Sequence, residues 1–418
     1  MIMKCGTRQL NILKYTALAS VIFFIAIQVY YIIYYWGMPQ YGDAAQYTKL
    51  AIECYDANQW YPTEKHVQTT EYLFNPGFVN YLILQLKLFG TLKYFSIIGL
   101  FLNLILLSFV YFLASRYHSK TAGLYSVIFF CLLTSNWLSH VAVMTELIFC
   151  VILYGSFLCV KKNHLYLILC ALLIVMAGYI RPITFIFVPS ALLYMLYKKY
   201  SWKYFVTIVI SYLCFNFTLN FIVRSNTAAR DASGTTGGWN ILVVANDDSH
   251  GHYVFGIEKE GHIGYVKEQN VYAKDSIRKV KAVEWIKDNK LKYLSHCPIK
   301  LFRFWWGDYY WNNPLDGVGT PDTDEGFVRK AVNVALHSLV YYLILILFTI
   351  HIVKNRKKHF KIIGILILPI LLATGLHMIM YGMMRYHYPY MPILILCAAS
   401  QLTNFISSWH SKASKAEV

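Results

Sequence analysis

Hydrophobic positions in this chain run in long blocks rather than in alternation or in narrow helical stripes. Most blocks approach the ~20 residues that a helix needs to cross a bilayer. They predict transmembrane helices at Tyr15 to Trp36, Lys93 to Ser115, Thr121 to Ser139, Val141 to Val160, Leu165 to Tyr179, Pro182 to Tyr197, Trp202 to Val223, Ala331 to Val353, Ile362 to Tyr381 and Tyr388 to Ser407. The first block is too long and too aromatic at its end for a cleaved signal peptide, so it reads as a permanent anchor. The expected class is an all-α polytopic membrane protein of about ten spans.

Two stretches interrupt the blocks, 37–92 and 224–330, dividing the chain into an N-terminal membrane module (1–223), a large loop domain (224–330) and C-terminal membrane helices (331–418). Within the first stretch, Pro39 and Gly42 end the preceding helix, and Ala44, Tyr47, Ala51 and Cys54 recur at i, i+3, i+7 and i+10. That spacing predicts a helix along the membrane surface, with Asp43 as its N-cap. A second amphipathic segment, Asn75 to Phe89, is too short to span comfortably. The large loop is expected to be of mixed secondary structure, and its Gly-rich lead, Asp231 to Gly238, to be flexible and substrate-gating.

Composition agrees: 57% of residues are hydrophobic, 14% are charged and mean hydropathy is +0.44, which excludes an ordinary soluble fold. Lys and Arg set the orientation. With the N-terminus in the cytoplasm, the short inner segments hold Lys4, Arg8 and Lys14; Arg116 and Lys120; Lys161 and Lys162; Lys198, Lys199 and Lys203; Lys354, Arg356, Lys357, Lys358 and Lys361; and Lys412 and Lys415. Only Arg181 and Arg385 fall in short outer turns, as the positive-inside rule requires. The net charge of +17 is therefore mostly topology and does not point to nucleic acid. Cysteine decides little; Cys54 and Cys297 are the two thiols on the outer side, where a bridge between them would have to form.

All but two of the 21 acidic residues lie in the two long outer segments. One exception, Glu146, stands at the outer start of the fourth predicted span, where an unpartnered carboxylate costs several kcal/mol, so it is a functional candidate alongside a plain interfacial role. Asp43 and Tyr47, four apart, share a face of the surface helix. Arg181-Pro182 and Arg385-Tyr386-His387-Tyr388-Pro389 place two guanidinium groups at outer turns. Such a fork suits a phosphate and stays charged, although either could anchor an interface instead. The stretch Asp247-Asp248-Ser249-His250-Gly251-His252 is only loosely metal-like and reads as a solvated loop.

Taken in order, these motifs resemble the GT-C superfamily, polytopic glycosyltransferases that use lipid-phosphate-linked sugars, especially the bacterial branch similar to protein O-mannosyltransferases and aminoarabinose transferases. The resemblance is carried by Gly42-Asp43 with Tyr47, Asn75-Pro76-Gly77, Thr145-Glu146, Arg181-Pro182, Gly237-Gly238-Trp239-Asn240 through Ala245-Asn246-Asp247, Ala282 to Lys290, Lys300 to Trp305 and Arg385 to Pro392. The chain reads Asp43-Ala44 where many relatives have Asp-Glu, and Ala245-Asn246 where they often have Gly-Asn.

The resemblance implies transfer of a sugar from a polyprenyl-phosphate donor to a lipid, glycan or protein acceptor, with inversion. On this reading Asp43 activates the acceptor and Glu146 supports it or shares the role of base. Tyr47 and His140 donate from behind, Arg385, Arg181 and Lys93 face the donor phosphate, and Tyr386 contributes to substrate binding. No cofactor is required, and a divalent metal is left open. The acceptor sequon Asn216-Phe217-Thr218 falls inside a predicted helix, which favours a bacterial inner membrane with a periplasmic active face and cytoplasmic termini. A transporter or flippase of lipid-linked sugars is the main rival, although no internal repeat supports it. A surface-polysaccharide ligase or polymerase is another.

Overall fold

The computed structural model describes residues 2–252, 254, 256–308, 335, 337–355 and 360–416, with side chains described among these for 10–355 and 367–409. The predicted span start at Ala331, loop residues 309–330, Arg356, Lys357 and Lys358, and the side chains of Lys4, Arg8, Lys361, Lys412 and Lys415 lie outside the described set.

Among the described residues there are helices and no strands. Four helical stretches are long and apolar enough to cross a bilayer: Leu10–Tyr34, Phe95–Tyr117, Trp202–Asn226 and Met384–Trp409. The chain is thus a membrane-embedded protein. Six shorter apolar helices accompany them: Lys120–Leu132, Glu146–Leu158, His164–Ile180, Pro182–Tyr197, Leu339–Asn355 and Ile367–Ile379.

In chain order the long and the shorter apolar helices belong to α1 (Ile2–Tyr34), α5 (Phe95–Tyr117), α6 (Lys120–Leu132), α8 (Glu146–Leu158), α9 (His164–Ile180), α10 (Val188–Tyr197), α11 (Trp202–Asn226), α16 (Leu339–Asn355), α17 (Phe360–Ile379) and α18 (Met391–Ala416). Between α1 and α5 come α2 (Gly42–Asp56), α3 (Glu64–Thr69) and α4 (Pro76–Phe89). A five-residue helix, α7 (Thr134–Leu138), follows α6. The large loop contributes α12 (Gly237–Leu242), α13 (Val271–Asp288), α14 (Lys290–Ser295) and α15 (Cys297–Trp305). Its described part is therefore helical, where a mixed domain was expected.

The surface helix α2 buries Ala44, Tyr47, Ala51 and Cys54, the stripe read from spacing. Its cap was misassigned. The helix begins at Gly42 with Tyr41 at the cap position, so Asp43 sits inside the first turn and its carboxylate projects onward instead of closing the helix end.

Two predicted spans differ more. Helix was expected through Ser139 and again from Val141, but α6 stops at Leu132 and α8 starts at Glu146. Each has 13 residues, about 20 Å, short of the ~30 Å hydrocarbon layer. The intervening chain is non-helical apart from α7 and almost wholly buried. Irregular backbone at such depth persists only where protein groups satisfy it. Here Trp137 Nε1 donates to the Cys131 carbonyl at 2.7 Å, Asn136 Nδ2 to Phe130 O at 2.9 Å, and Val143 N to Gln40 Oε1 at 3.1 Å. Asn103 Nδ2 reaches Gln28 Oε1, Asn136 O and Ser139 Oγ, each at 3.1 Å. Gly99 permits the approach, since a Cβ there would lie 2.7 Å from the His140 carbonyl oxygen.

The segments 37–92 and 224–308 cap one end of the bundle together. Leu73 N donates to Thr235 Oγ1 at 2.8 Å, and Tyr72 packs on Trp239 with ring centroids 5.3 Å apart. The Gly-rich lead, expected to gate substrate, is held as a strap: Gly234 N bonds Asn75 Oδ1 at 2.9 Å and Gly238 N bonds Asp275 Oδ1 at 2.6 Å. Glu71 takes Lys274 at 2.8 Å on one oxygen and Arg278 on the other, and both cations are buried.

Burial raises the pKa of Glu71, but its hydrogen bonds and charge pairing with Lys274 and Arg278 outweigh that and hold it below its usual 4.5. A depressed carboxylate stabilises the fold above its unfolded pKa, and this contribution is lost as pH falls through the folded value. The two capping segments are thus expected to come apart below the ordinary carboxylate range. Limited proteolysis of 224–308 across a pH series checks this, with Glu71→Gln as susceptible at neutral pH as wild type is in acid.

Candidate functional site

The break between α6 and α8 delivers Glu146 to the capped end as the first residue of α8, with 1% of its side chain exposed. Arg181 arrives as the C-cap of α9. Its Nη1 lies 2.7 Å from Glu146 Oε1 and donates to Thr145 Oγ1 at 3.3 Å, while the Thr145 hydroxyl donates to Glu146 Oε2 at 3.3 Å. Arg385 comes from the 3-10 segment Met384–Tyr390 that leads into α18. Its Nη2 is 2.5 Å from Asp43 Oδ2, and its Nε is 3.9 Å from Glu146 Oε1. Two carboxylates and two guanidinium groups, from four separated segments, thus form one alternating row.

Aromatic groups fix the row. Arg385 Nη2 donates to Tyr386 OH at 3.4 Å, and the Tyr386 ring lies 5.0 Å from the Arg385 guanidinium and 5.7 Å from that of Arg181. Behind Tyr386, His377 stacks at 5.2 Å and donates through Nδ1 to the Tyr381 carbonyl. Tyr154 OH donates to Pro389 O at 2.6 Å and Tyr388 OH to Asn136 Oδ1 at 2.8 Å, tying the Arg385 turn to α8 and to the break. On the far side Gly77 abuts α9, where a Cβ would lie 2.5 Å from the Tyr179 carbonyl oxygen, two residues before Arg181.

Exposure separates the two acids. Asp43 is 29% exposed, against 1% for Glu146, 12% for Arg385 and 13% for Arg181. The accessible carboxylate is Asp43; Glu146 is the buried counter-charge between two arginines. Tyr47 is buried against Phe74 and Phe78, with ring centroids at 4.4 and 5.0 Å. Burial, and then the Asp43 charge, push its phenol well above 10, so it stays protonated and can donate.

Of the residues singled out in the sequence, Asp43, Glu146, Arg181, Arg385, Tyr386 and Tyr47 come together. His140 turns the other way: its Nε2 donates to the Gln28 carbonyl at 3.1 Å, so it supports the break instead of the carboxylates. Lys93 is exposed just before α5, and among the described residues no side-chain hydrogen bond or ion pair joins it to the row. Cys54 and Cys297 are separate free thiols. Asp247 pairs with Lys292 at 2.7 Å, and among the described residues no group of three or more His, Cys, Asp or Glu side chains is placed to hold a metal.

Sequence reasoning missed Gln40, Asn103 and Asp308, and named Thr145 only as part of a motif. Asp308 accepts from Ser135 N at 2.9 Å and Thr134 Oγ1 at 3.3 Å, and its burial raises its carboxyl to about 7. Gln28, Asn103 and Asn136 in otherwise apolar runs were the available signal, because amides at that depth need partners.

A groove of about 690 Å³ opens on the other side of the Arg181-Pro182 turn, between α9, α10 and α11. Val175, Gly178, Pro182 and Phe185 line it, with Asn216 and Asn220 of α11. A scan against protein-family models and a search of curated proteins both found no match to this chain.

Proposed function

We propose that the protein is a membrane glycosyltransferase of GT-C type that moves a sugar from a polyprenyl-phosphate donor to a lipid, glycan or protein acceptor. In this reading the six shorter apolar helices complete crossings of the bilayer with the four long ones, α6 and α8 together with the buried chain between them, giving ten spans. The capped end faces the periplasm of a bacterial inner membrane, with both termini in the cytoplasm. The observation that carries it is the row Asp43–Arg385–Glu146–Arg181, which joins an accessible carboxylate to two fixed cations at one end of the bundle.

Transfer from a lipid phosphate needs a base at the nucleophile and positive charge at the departing phosphate. The row holds both in a mutually neutralised form. Arg385 Nη2 holds Asp43 Oδ2 at 2.5 Å, so that carboxylate oxygen stays engaged until the contact loosens. Arg385 has five N–H donors, and a phosphate drawing on them weakens its hold on Asp43. Donor binding thereby readies the base when the donor is in place, and Glu146 keeps both guanidinium groups in position. Departure of the phosphate toward Arg181 and Arg385, with the acceptor oxygen or nitrogen attacking the opposite face of the anomeric carbon, gives inversion.

Purified protein in nanodiscs, given a radiolabelled polyprenyl-phosphate sugar and a membrane extract as acceptor source, is expected to form an alkali-stable glycoside with the inverted anomeric configuration. Movement of intact donor between leaflets without a new glycoside would select a flippase instead.

A further inference from the structure

The two helices that end the described part of the loop, α14 and α15, carry an apolar face that no other part of the described structure covers. Leu291 is 84% exposed, Leu294 60% and Phe302 57%, with Ile299 and Trp306 also open. Ile299, Phe302 and Trp306 fall at i, i+3 and i+7, and the Phe302 and Trp306 rings lie 4.5 Å apart. The opposite face of α15 is fixed to the membrane helices. Buried Lys300 donates through Nζ to the Met378 and Ile379 carbonyls at 3.3 and 3.4 Å, capping the end of α17, and Tyr293 OH donates to the same Ile379 carbonyl. Tyr342 OH of α16 donates to the Trp306 carbonyl at 2.6 Å.

These anchors set the depth of α14 and α15. They sit at the C-terminal end of α17 and near the start of α16, beside exposed Ile379 and Met378. Lys287 and Lys290 are exposed beside this face, and Arg303 lies within it. An apolar face at the level of the helix ends, bordered by cations, is the arrangement that seats in a headgroup layer.

We propose that α14 and α15 lie in the leaflet on the capped side and bind anionic lipid headgroups through Lys287, Lys290 and Arg303, so that the loop domain is held down on the bilayer over the Asp43–Arg385 row. The seat depends on membrane embedding alone and is independent of the sugar-transfer reading.

The test uses the full-length chain in nanodiscs containing equal amounts of anionic and zwitterionic phospholipid. A photoreactive benzophenone amino acid replaces Leu291 or Phe302, with exposed Glu260 in the polar part of the loop as the control position. Mass spectrometry after irradiation is expected to show lipid adducts at 291 and 302, enriched in anionic lipid, and background levels at 260. Lys290→Gln with Arg303→Gln is expected to cut the anionic enrichment roughly tenfold or more while leaving total lipid adducts in place. Adducts equal to those at 260, crosslinks to a second protein chain in place of lipid, or an enrichment that the double substitution leaves unchanged would each overturn the proposal.

Discussion

Replacing Asp43 with asparagine is expected to lower sugar transfer about 10²- to 10⁴-fold, the range that a positioned general base contributes, with the loss in kcat rather than KM. The structure makes this a clean substitution. Asp43 is 29% exposed, so its pair with Arg385 contributes little to stability, about 1 kcal/mol or less. Asparagine keeps the size and can still accept from the guanidinium, while Arg385 retains the Glu146 carboxylate at 3.9 Å. Folding, judged by monodispersity in detergent and thermal midpoint, should therefore stay near wild type while turnover collapses. Asp43→Glu, with the carboxylate carried one methylene further, is expected to recover part of the rate. Full activity in Asp43→Asn would remove Asp43 as the base and leave the row as a structural brace.

The legible part of this protein was what bilayer physics dictates. Apolar blocks marked the helices, and the buried face of α2 followed from the spacing of Ala44, Tyr47, Ala51 and Cys54. The rarity of acids outside the loops drew attention to Glu146, and the rarity of cations in short turns of one sign drew it to Arg181 and Arg385. Periodicity did not show that α6 and α8 stop short, because Leu133, Trp137, Leu138, Val141, Val143 and Met144 keep apolar residues recurring through 133–145 between the polar ones. What breaks the helix is a pair of remote side chains, Gln40 and Asn103, that take over its backbone hydrogen bonds, with Gln28 Oε1 holding the Asn103 amide. Such bonds join positions up to 103 residues apart, which no local pattern records. For the same reason the sequence left His140 among the donors near the carboxylates, although its ring bonds α1. It also left Asp43 and Glu146 equivalent, since their difference in exposure arises only after four segments converge.

That difference yields a second, opposite signature for Glu146. Its carboxylate is 1% exposed between Arg181 at 2.7 Å and Arg385 at 3.9 Å, so Glu146→Gln leaves guanidinium charge buried without its counter-ion. Breaking a buried pair from one side costs about 3–5 kcal/mol. Unlike Asp43→Asn, this variant is expected to lose thermal stability and activity together, read as an earlier unfolding midpoint and a shorter half-life in detergent. Removing the other partner as well discriminates between a charge defect and a packing defect. In Glu146→Gln with Arg181→Met, the orphaned charge is gone and Arg385 still has Asp43, so most of the lost stability should return. The coupling between the two sites should then lie at about 1–3 kcal/mol, the upper part of the range for residues in direct contact. Transfer should not return, because the phosphate has lost one of its two cations. If the double variant is as unstable as the sum of the singles, Glu146 and Arg181 do not act as a pair and the row is not the unit proposed. If instead it regains transfer along with stability, Arg181 has no part in the chemistry and Arg385 alone carries the phosphate.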